Sequence, residues 1–424
     1  MKTTIKKWGI NGEGIAYYHR KPVFIPYALP QEEIEYHIVK ETRKYCMGEM
    51  DRLIVPSSRR RYPLCAKWQT CGGCALMHAQ YKEQCKMKSQ MVKEALRKYA
   101  NYQGPILPII KNPDPLGYRN MCKLPLQKVH GHWQSGMYAA HTHDFVAIDR
   151  CVVHEKEIEL VRKKALEIFD QFHLENLLSL VLKSFDQKVQ MILVTKNVTL
   201  PETCIAALSM IDSVVSIWQS IKTDDRIDIF GDTMIHLSGK ERMEITLGPI
   251  HCQLLPRSFF QLNTKQALRL YQLVQEWTPN CHTLMEAFCG IGAMSLFVAN
   301  KAKTIYGIEY NQDAIENAKI NAQWNHCTHV SFICGDANEK LMTTNEPIDC
   351  LIVDPPRKGL EDMTSTILQK HIPTILYVSC NPSTLAKDLA ILTKQYTIQN
   401  VQPLDMFSQT PLVETVVYLE RKTK

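Results

Sequence analysis

The chain has 424 residues, 45% hydrophobic and 22% charged, and carries a net charge of +7. That length allows two or three domains with a substantial core. The composition is that of an ordinary soluble protein, and no apolar run approaches the ~20 residues of a helical membrane span.

The start, Met1-Lys2-Thr3-Thr4-Ile5-Lys6-Lys7, is basic, but no apolar segment of a secretory signal follows it, so a cytoplasmic protein is expected. Residues 1–100 hold 19 Lys and Arg against 9 Asp and Glu, and the rest of the chain holds 31 against 34. A basic first quarter beside a near-neutral remainder points to a polyanionic partner, with a merely solvated surface as the alternative. Residues 1–55 alternate short β-like runs, Val23-Phe24-Ile25 and Ile34 to Val39, with turns at Asn11-Gly12 and Gly14, which predicts a small β-barrel. Ser57-Ser58-Arg59-Arg60-Arg61 reads as a basic linker. Residues 79–100 read as a helix and 117–150 as β-rich, and residues 155–245 mix helix-like and strand-like stretches.

From about residue 250 strands and helices alternate. Asn263 to Gln275 reads as a helix, then come strand, glycine turn and helix over Thr283 to Val298. A strand ending at Glu309, a helix from about Asp313 to Trp324, and strands Val330 to Cys334, Cys350 to Val353 and Thr374 to Ser379 follow. This is the pattern of an α/β, doubly wound parallel sheet. The turn Glu286-Ala287-Phe288-Cys289-Gly290-Ile291-Gly292 lets backbone pass close to a ligand. Glu309 lies 19 residues after Gly290 at the next strand tip, where a carboxylate binds two ribose hydroxyls. Asp336, after the third strand, is placed to hold an adenine amino group. A dinucleotide site and a purely structural turn remain alternatives on the turn alone.

Two further residues suggest the chemistry. Cys380 ends an apolar strand in Val378-Ser379-Cys380-Asn381-Pro382, and Glu414 follows 34 residues later. Pyrimidine C5 is a poor nucleophile; thiolate attack at C6 activates it, and a base must later remove the C5 proton. Cys380 suits the nucleophile and Glu414 the base. Asp354, ending the fourth strand, is placed to orient the target base or the methyl donor. A core cysteine and a surface glutamate are the bland alternatives for either residue taken singly. Arg357 follows Asp354-Pro355-Pro356 where enzymes that methylate exocyclic amines carry an aromatic residue. RNA cytosine-C5 enzymes carry a cysteine directly after that proline, and none stands here.

Several segments resemble the RNA uracil-5-methyltransferase family: Pro256-Arg257-Ser258-Phe259-Phe260-Gln261-Leu262-Asn263, Phe288-Cys289-Gly290-Ile291-Gly292, Asp354-Pro355-Pro356-Arg357-Lys358-Gly359, Ser379-Cys380-Asn381-Pro382, and Asp405-Met406-Phe407 through Glu414. The resemblance implies a class I, Rossmann-like S-adenosylmethionine-dependent methyltransferase domain over residues 251–424. It implies methyl-donor contacts at Gln261, Phe288, Glu309 and Asp354, with Asp336 as a further contact, Cys380 as nucleophile and Glu414 as base. One departure is visible: relatives often carry Asn where this chain has Ala293. Gly12-Glu13-Gly14-Ile15-Ala16 with Val23 to Pro26 and Ala28 to Pro30 resembles a TRAM domain, which implies an RNA-binding barrel at 1–55, with a barrel lacking an RNA role as the alternative.

Fifteen cysteines, an odd number, argue against a disulfide framework in a reducing compartment. Cys327, Cys334 and Cys350 fit core thiols. Cys65-x5-Cys71-x2-Cys74, followed after 76 residues by Cys151, could ligate a tetrahedral zinc ion or an iron–sulfur cluster, or remain free. The spacing resembles the [4Fe-4S] site of iron–sulfur members of the same family and implies such a cluster in a central α+β domain, 56–250; Cys85 falls outside the pattern. It also points to the 23S rRNA branch rather than the bacterial tRNA branch. The expected activity is uridine C5 methylation in RNA, with 23S rRNA as the expected substrate and a loop uridine flipped into the pocket. tRNA uridine or RNA cytosine methylation, and a non-catalytic RNA-binding or assembly factor, are the alternatives. No membrane role and no obligate protein partner is expected.

Overall fold

The protein is described by a computed structural model, covering all residues except 141, 225–227 and 424. Among the described residues, three large sheets follow one another, with a two-stranded hairpin between the second and third.

The first is six-stranded and built from residues 2–55. Residues 2–8 bond to Glu33–Glu41 through Lys2–Thr4 and to Gly14–Tyr18 through Lys7–Trp8, and the Ile5 and Lys6 amides donate to Glu32 and Ile15. One segment thus pairs with both edges, so the sheet closes on itself and leaves no free edge. Ile5, Ala16, Val23, Ile25, Ile34 and Tyr36 fill its interior.

The central sheet has seven strands and two helices, Lys156–Gln171 and Glu202–Ser209, packed on it. Apolar side chains at alternating positions of Met121–Val129 and Leu177–Phe185 face those helices, as the two-residue strand period requires. A hairpin, Met243–Leu247 and Ile250–Leu254, leads into the third unit and packs in that unit's core.

The third sheet contains β1 (Cys281–Ala287), β2 (Ala302–Glu309), β3 (Val330–Cys334), β4 (Cys350–Val353), β5 (Thr374–Ser379), β6 (Tyr396–Leu404) and β7 (Glu414–Arg421). Their spatial order is 3-2-1-4-5-7-6, with β1 to β5 parallel and β7 antiparallel between β5 and β6. The order reverses between β1 and β4, which opens a crevice at the carboxyl ends of the strands. Strand-to-helix turns carry capping side chains: Asn263, Asn311, Asp336 and Asn381 each accept a hydrogen bond from a helical amide.

The helix Tyr81–Ala100 precedes the central sheet in the chain but packs on the third. Val92 and Leu96 share a core with Met285, Ile308, Leu385 and Leu389. Lys88, fully buried, pairs with buried Asp405, whose carboxylate also accepts from Tyr81 and Ser408. The predicted basic linker is not a free cationic segment. Arg60 donates to the buried carboxylate of Glu32 at 2.6 and 2.7 Å, Arg59 pairs with Glu83, and Arg61 donates to the Met77 carbonyl. These arginines fasten the barrel to the following loop, because Glu32 is buried and requires a cation.

Candidate active site

The crevice at the carboxyl ends of β1, β2, β4 and β5 opens into a cavity of about 980 Å³. Gln261, Phe288, Glu309, Asp336, Asp354, Cys380 and Glu414 all line it, and so does Ala293. Every residue singled out for catalysis or donor binding therefore faces one space.

The glycine turn after β1 forms one wall. Phe288 has φ of +65°, which costs a bulky residue about 1–2 kcal/mol and turns the chain sharply off the strand. Gly292 needs its missing side chain: a Cβ there would overlap the Phe332 ring, and φ is +78°. At Gly290 no heavy atom lies within 4 Å of where a Cβ would stand. The Glu309 carboxylate accepts from the Gly290 amide at 3.2 Å and from the Asn311 amide at 3.0 Å, which fixes it at the tip of β2. Asp336 caps the helix Ala337–Thr343 by accepting from the Glu339 amide at 2.9 Å, so one of its oxygens is already engaged.

Cys380 and Glu414 meet because β7 runs against β5. Ser379 pairs with Thr415, so the next residue of β5 stands opposite the preceding residue of β7. Asn381 caps the following helix by accepting from the Ser383 amide, and Pro382 occupies its first turn, so the chain leaves the sheet immediately after the thiol. Glu414 is 3% exposed. Burial raises its carboxyl well above the usual range and the Asp354 carboxylate raises it further. Burial pushes Asp354 up to about 7. The two like charges share one desolvated space, so the pair retains a proton near neutrality. Burial, then Glu414 and Asp354, push the Cys380 thiol up to about 11, while Arg357 opposes the rise.

Glu286, Tyr271 and Arg357 also line the cavity, although the sequence suggested no role for them. Glu286 is buried, accepts from the Ser295 hydroxyl, and is lifted by burial to about 8. Its signal lay within the glycine-turn segment, as an acid directly after the apolar pair Leu284-Met285.

Cys65, Cys71, Cys74 and Cys151 line a second cavity of about 300 Å³, with Trp68, Met77, Tyr118 and His154. Cys85 is buried on the helix Tyr81–Ala100 and stays outside it. Burial raises the Cys71 and Cys74 thiols, and mutual repulsion among the four adds to the rise. Among the described residues, no group of three or more His, Cys, Asp or Glu is arranged for a metal ion. Zn–S bonds of ~2.3 Å in a tetrahedron would bring the sulfurs to about 3.8 Å from one another. Phe259, 64% exposed, lines both cavities, as the wall between them. Cys350 is buried, and Cys327 and Cys334 are partly so. No helix among the described residues is long and apolar enough to cross a membrane.

Residues 80–422 match the family model described as tRNA (uracil-5-)-methyltransferase. An uncharacterized RNA methyltransferase of Enterococcus faecalis is 34% identical over 442 residues, covering 99% of this chain and 97% of its own. One from Clostridium tetani is 34% identical over 432 residues, covering 97% and 94%. The crystal structure of Pyrococcus abyssi tRNA (uracil-54, C5)-methyltransferase in complex with S-adenosyl-L-homocysteine superposes with a TM-score of 0.80 at 25% identity, covering 99% of this chain and all of that one. With the whole length matched and the strand-end carboxylates gathered around one cavity, the chain belongs to the tRNA (uracil-5-)-methyltransferase family and is an S-adenosylmethionine-dependent RNA methyltransferase.

Proposed function

We propose that this enzyme methylates C5 of uridine in RNA, and that its substrate is 23S rRNA in the cytoplasm. The observation that carries the reading is the juxtaposition of Cys380 and Glu414 across the β5–β7 pair, facing the cavity that Glu309 and Asp354 also line. Cys380 attacks C6, forming an Sγ–C6 bond and leaving C5 electron-rich. S-adenosylmethionine, when bound, would supply an electrophilic methyl group to C5, its sulfur–methyl bond breaking as S-adenosylhomocysteine leaves. Glu414 then takes the C5 proton, the Sγ–C6 bond breaks, and the C5–C6 double bond returns. A burial-raised carboxyl is a stronger base, once ionised, than an ordinary glutamate. Glu309 suits the donor's ribose hydroxyls, Asp336 its adenine, and Gln261, Phe288 and Asp354 its remaining contacts. The uridine has to leave its helix to reach Cys380, which favours a flipped loop nucleotide.

Cys65, Cys71, Cys74 and Cys151 would hold a [4Fe-4S] cluster. All four thiols line one cavity of about 300 Å³, which leaves room for a multi-atom cluster. Its contribution would be to hold the loop 65–74 to Cys151. Residues 1–55 act as a TRAM-like RNA-binding barrel, 56–250 as the cluster-bearing domain and 251–424 as the catalytic domain. A tRNA substrate is the second reading, favoured by the uracil-54 specificity of the Pyrococcus abyssi protein.

RNA carrying tritium at pyrimidine C5, from cells lacking the gene, tests the reaction. Tritium release with 5-methyluridine in the large rRNA fraction is expected. Release from tRNA alone would move the substrate to the second reading, and 5-methylcytidine would overturn the target base. Anaerobic purification with iron and sulfide analysis tests the cluster; zinc at one equivalent, with no sulfide, would refute it.

A further inference from the structure

The segment 255–262 lines the large cavity with Arg257 through Gln261 on its way between the hairpin and the helix Thr264–Trp277. Phe259 projects at the wall between the two cavities, and Gln261 faces the larger one. An irregular segment has no ladder of its own, so its backbone groups must find partners elsewhere. Here the donors to its carbonyls come from the central unit, while Asn317, on the helix Gln312–Trp324, accepts from the Leu255 amide at 3.2 Å and the Ser258 hydroxyl at 2.7 Å. Lys183, on the strand Leu177–Phe185 and 3% exposed, donates through Nζ to the carbonyls of Leu255 at 3.2 Å, Pro256 at 2.7 Å and Ser258 at 2.8 Å. Asn120, fully buried, donates through Nδ2 to the Gln261 carbonyl at 2.9 Å and to the Thr264 hydroxyl at 2.8 Å, and its amide donates to the Leu262 carbonyl at 3.0 Å. The Ser184 amide donates back to the Asn120 carbonyl at 2.7 Å, which ties the two anchors together.

The choice of lysine is informative. Three carbonyl oxygens converge on one point, and an ammonium is the side-chain group with three donors arranged about a compact centre; the planar guanidinium fork cannot serve them. No carboxylate is among its hydrogen-bond partners in the described residues, so carbonyl dipoles alone hold this charge. Burial, with repulsion from Lys123, pushes its ammonium down to about 7. An apolar residue at this place would avoid that desolvation but take the donor from the Pro256 and Ser258 carbonyls, leaving the Leu255 carbonyl only the Ser258 amide.

We propose that Lys183 and Asn120 are positioning residues for methyl transfer: from a separate sheet they fix the backbone of 255–262 so that Gln261 and Phe259 stand in the cavity. The inference rests on the proposed donor contact at Gln261. Replacing Lys183 by Met removes the three donors while keeping the length of the side chain. Donor affinity is measured by calorimetry without RNA, amide exchange by mass spectrometry, and turnover at saturating donor.

Lys183→Met is expected to weaken S-adenosylmethionine about tenfold or more, with kcat within about threefold, because Cys380 and Glu414 lie on other strands. Exchange should quicken over 255–264 while β5 and β7 keep their protection. Lys183→Arg, which retains the charge but not the geometry, should behave like Lys183→Met. Donor affinity within about twofold of the parent, or equal loosening of β5 and β7, overturns the proposal. Should Lys183→Met fail to fold, Asn120→Ala is judged by the same criteria. Gln261→Ala separates the underlying reading. If it leaves donor affinity intact while Lys183→Met lowers it, the Gln261 contact is wrong and the positioning role stands; the reverse pattern refutes the positioning role.

Discussion

Replacing Glu414 by Gln should make the Cys380 thiol more acidic while stopping turnover. In the free enzyme that thiol is pushed up to about 11, and after burial the Glu414 carboxylate is the largest contribution. At pH 8 a pKa of about 11 leaves roughly one thiolate in a thousand, against about one in four for an ordinary thiol near 8.5. Iodoacetamide consumes thiolate, so Cys380 should alkylate roughly two hundredfold more slowly than an exposed cysteine at that pH. Peptide mass spectrometry follows Cys380 separately from the other fourteen cysteines. The rate should climb steadily from about pH 7 and level off near 11 in the parent, and level off at lower pH in Glu414→Gln, where one repelling charge is gone. The same variant lacks the base that removes the C5 proton, so a denaturant-resistant RNA adduct should accumulate. A parent curve that levels off near 8.5, or a variant curve unmoved or shifted upward, would refute this electrostatic account of the site. A more acidic thiol with no adduct would remove Glu414 from the role of base.

Glu309→Ala should weaken S-adenosylmethionine by about ten- to a hundredfold, since hydrogen bonds to a charged group are worth roughly 1.5–3 kcal/mol; calorimetry reads this directly. Gly292→Ala should destabilise by about 2 kcal/mol or more, because it adds overlap with Phe332 to positive-φ strain, whereas Gly290→Ala, at φ +54° but with open space, should cost only about 1–2 kcal/mol and also lose donor affinity. Lys88→Met strands the buried Asp405 carboxylate and should cost about 3–5 kcal/mol in urea unfolding, seen as a lower midpoint. His78 is fully buried, and burial, aided by Arg60, lowers it from 6.5 to about 3. The unfolded chain therefore takes the proton first, and stability falls as pH drops below about 6.5, by roughly 2 kcal/mol at pH 5, until near pH 3. His78→Phe should flatten that part of the stability curve, and an unchanged slope would exclude His78 as its source.

The parts of this architecture that depend on residue type were legible in the sequence. Cys350 to Val353 and Thr374 to Ser379 were read as strands with the ends they have, because a strand buried on both faces is a continuous apolar run closed by a turn. Cys380 and Glu414 stood out because the chemistry demands a thiol and a carboxylate, and no other residue types supply them. What stayed hidden depends on partners without a signature. Lys183 carries no signal in the sequence, because its acceptors are main-chain carbonyls and every residue has one. Arg59, Arg60 and Arg61 read as a free basic run because Glu32 and Glu83 lie far away in the chain. The segment 79–100 reads as a helix, but nothing in it shows the sheet it covers.

Glu414 illustrates why position in the fold outweighs position in the chain. β1 to β5 are parallel, so their carboxyl ends reach the crevice and their amino ends lie at the opposite edge. A carboxylate at the first residue of another parallel strand would be a strand's length from Cys380, about 20 Å for six residues. Inserting β7 antiparallel between β5 and β6 reverses this, and the first residue of that strand becomes the one at the crevice. The connection from β6 must then pass over the crevice edge. It is the segment 405–413, which carries Phe407 and Leu412 into the cavity wall and is held by Lys88, Tyr81 and Asn112, the last through Ser408. Loosening that segment should therefore displace Glu414 more than Cys380, whose strand ends in a capped helix. In Lys88→Met the Cys380 alkylation profile should move toward lower pH, as repulsion weakens, while the thiol remains on an intact β5. An unchanged profile in a variant that still folds would show that Glu414 is held by β7 alone.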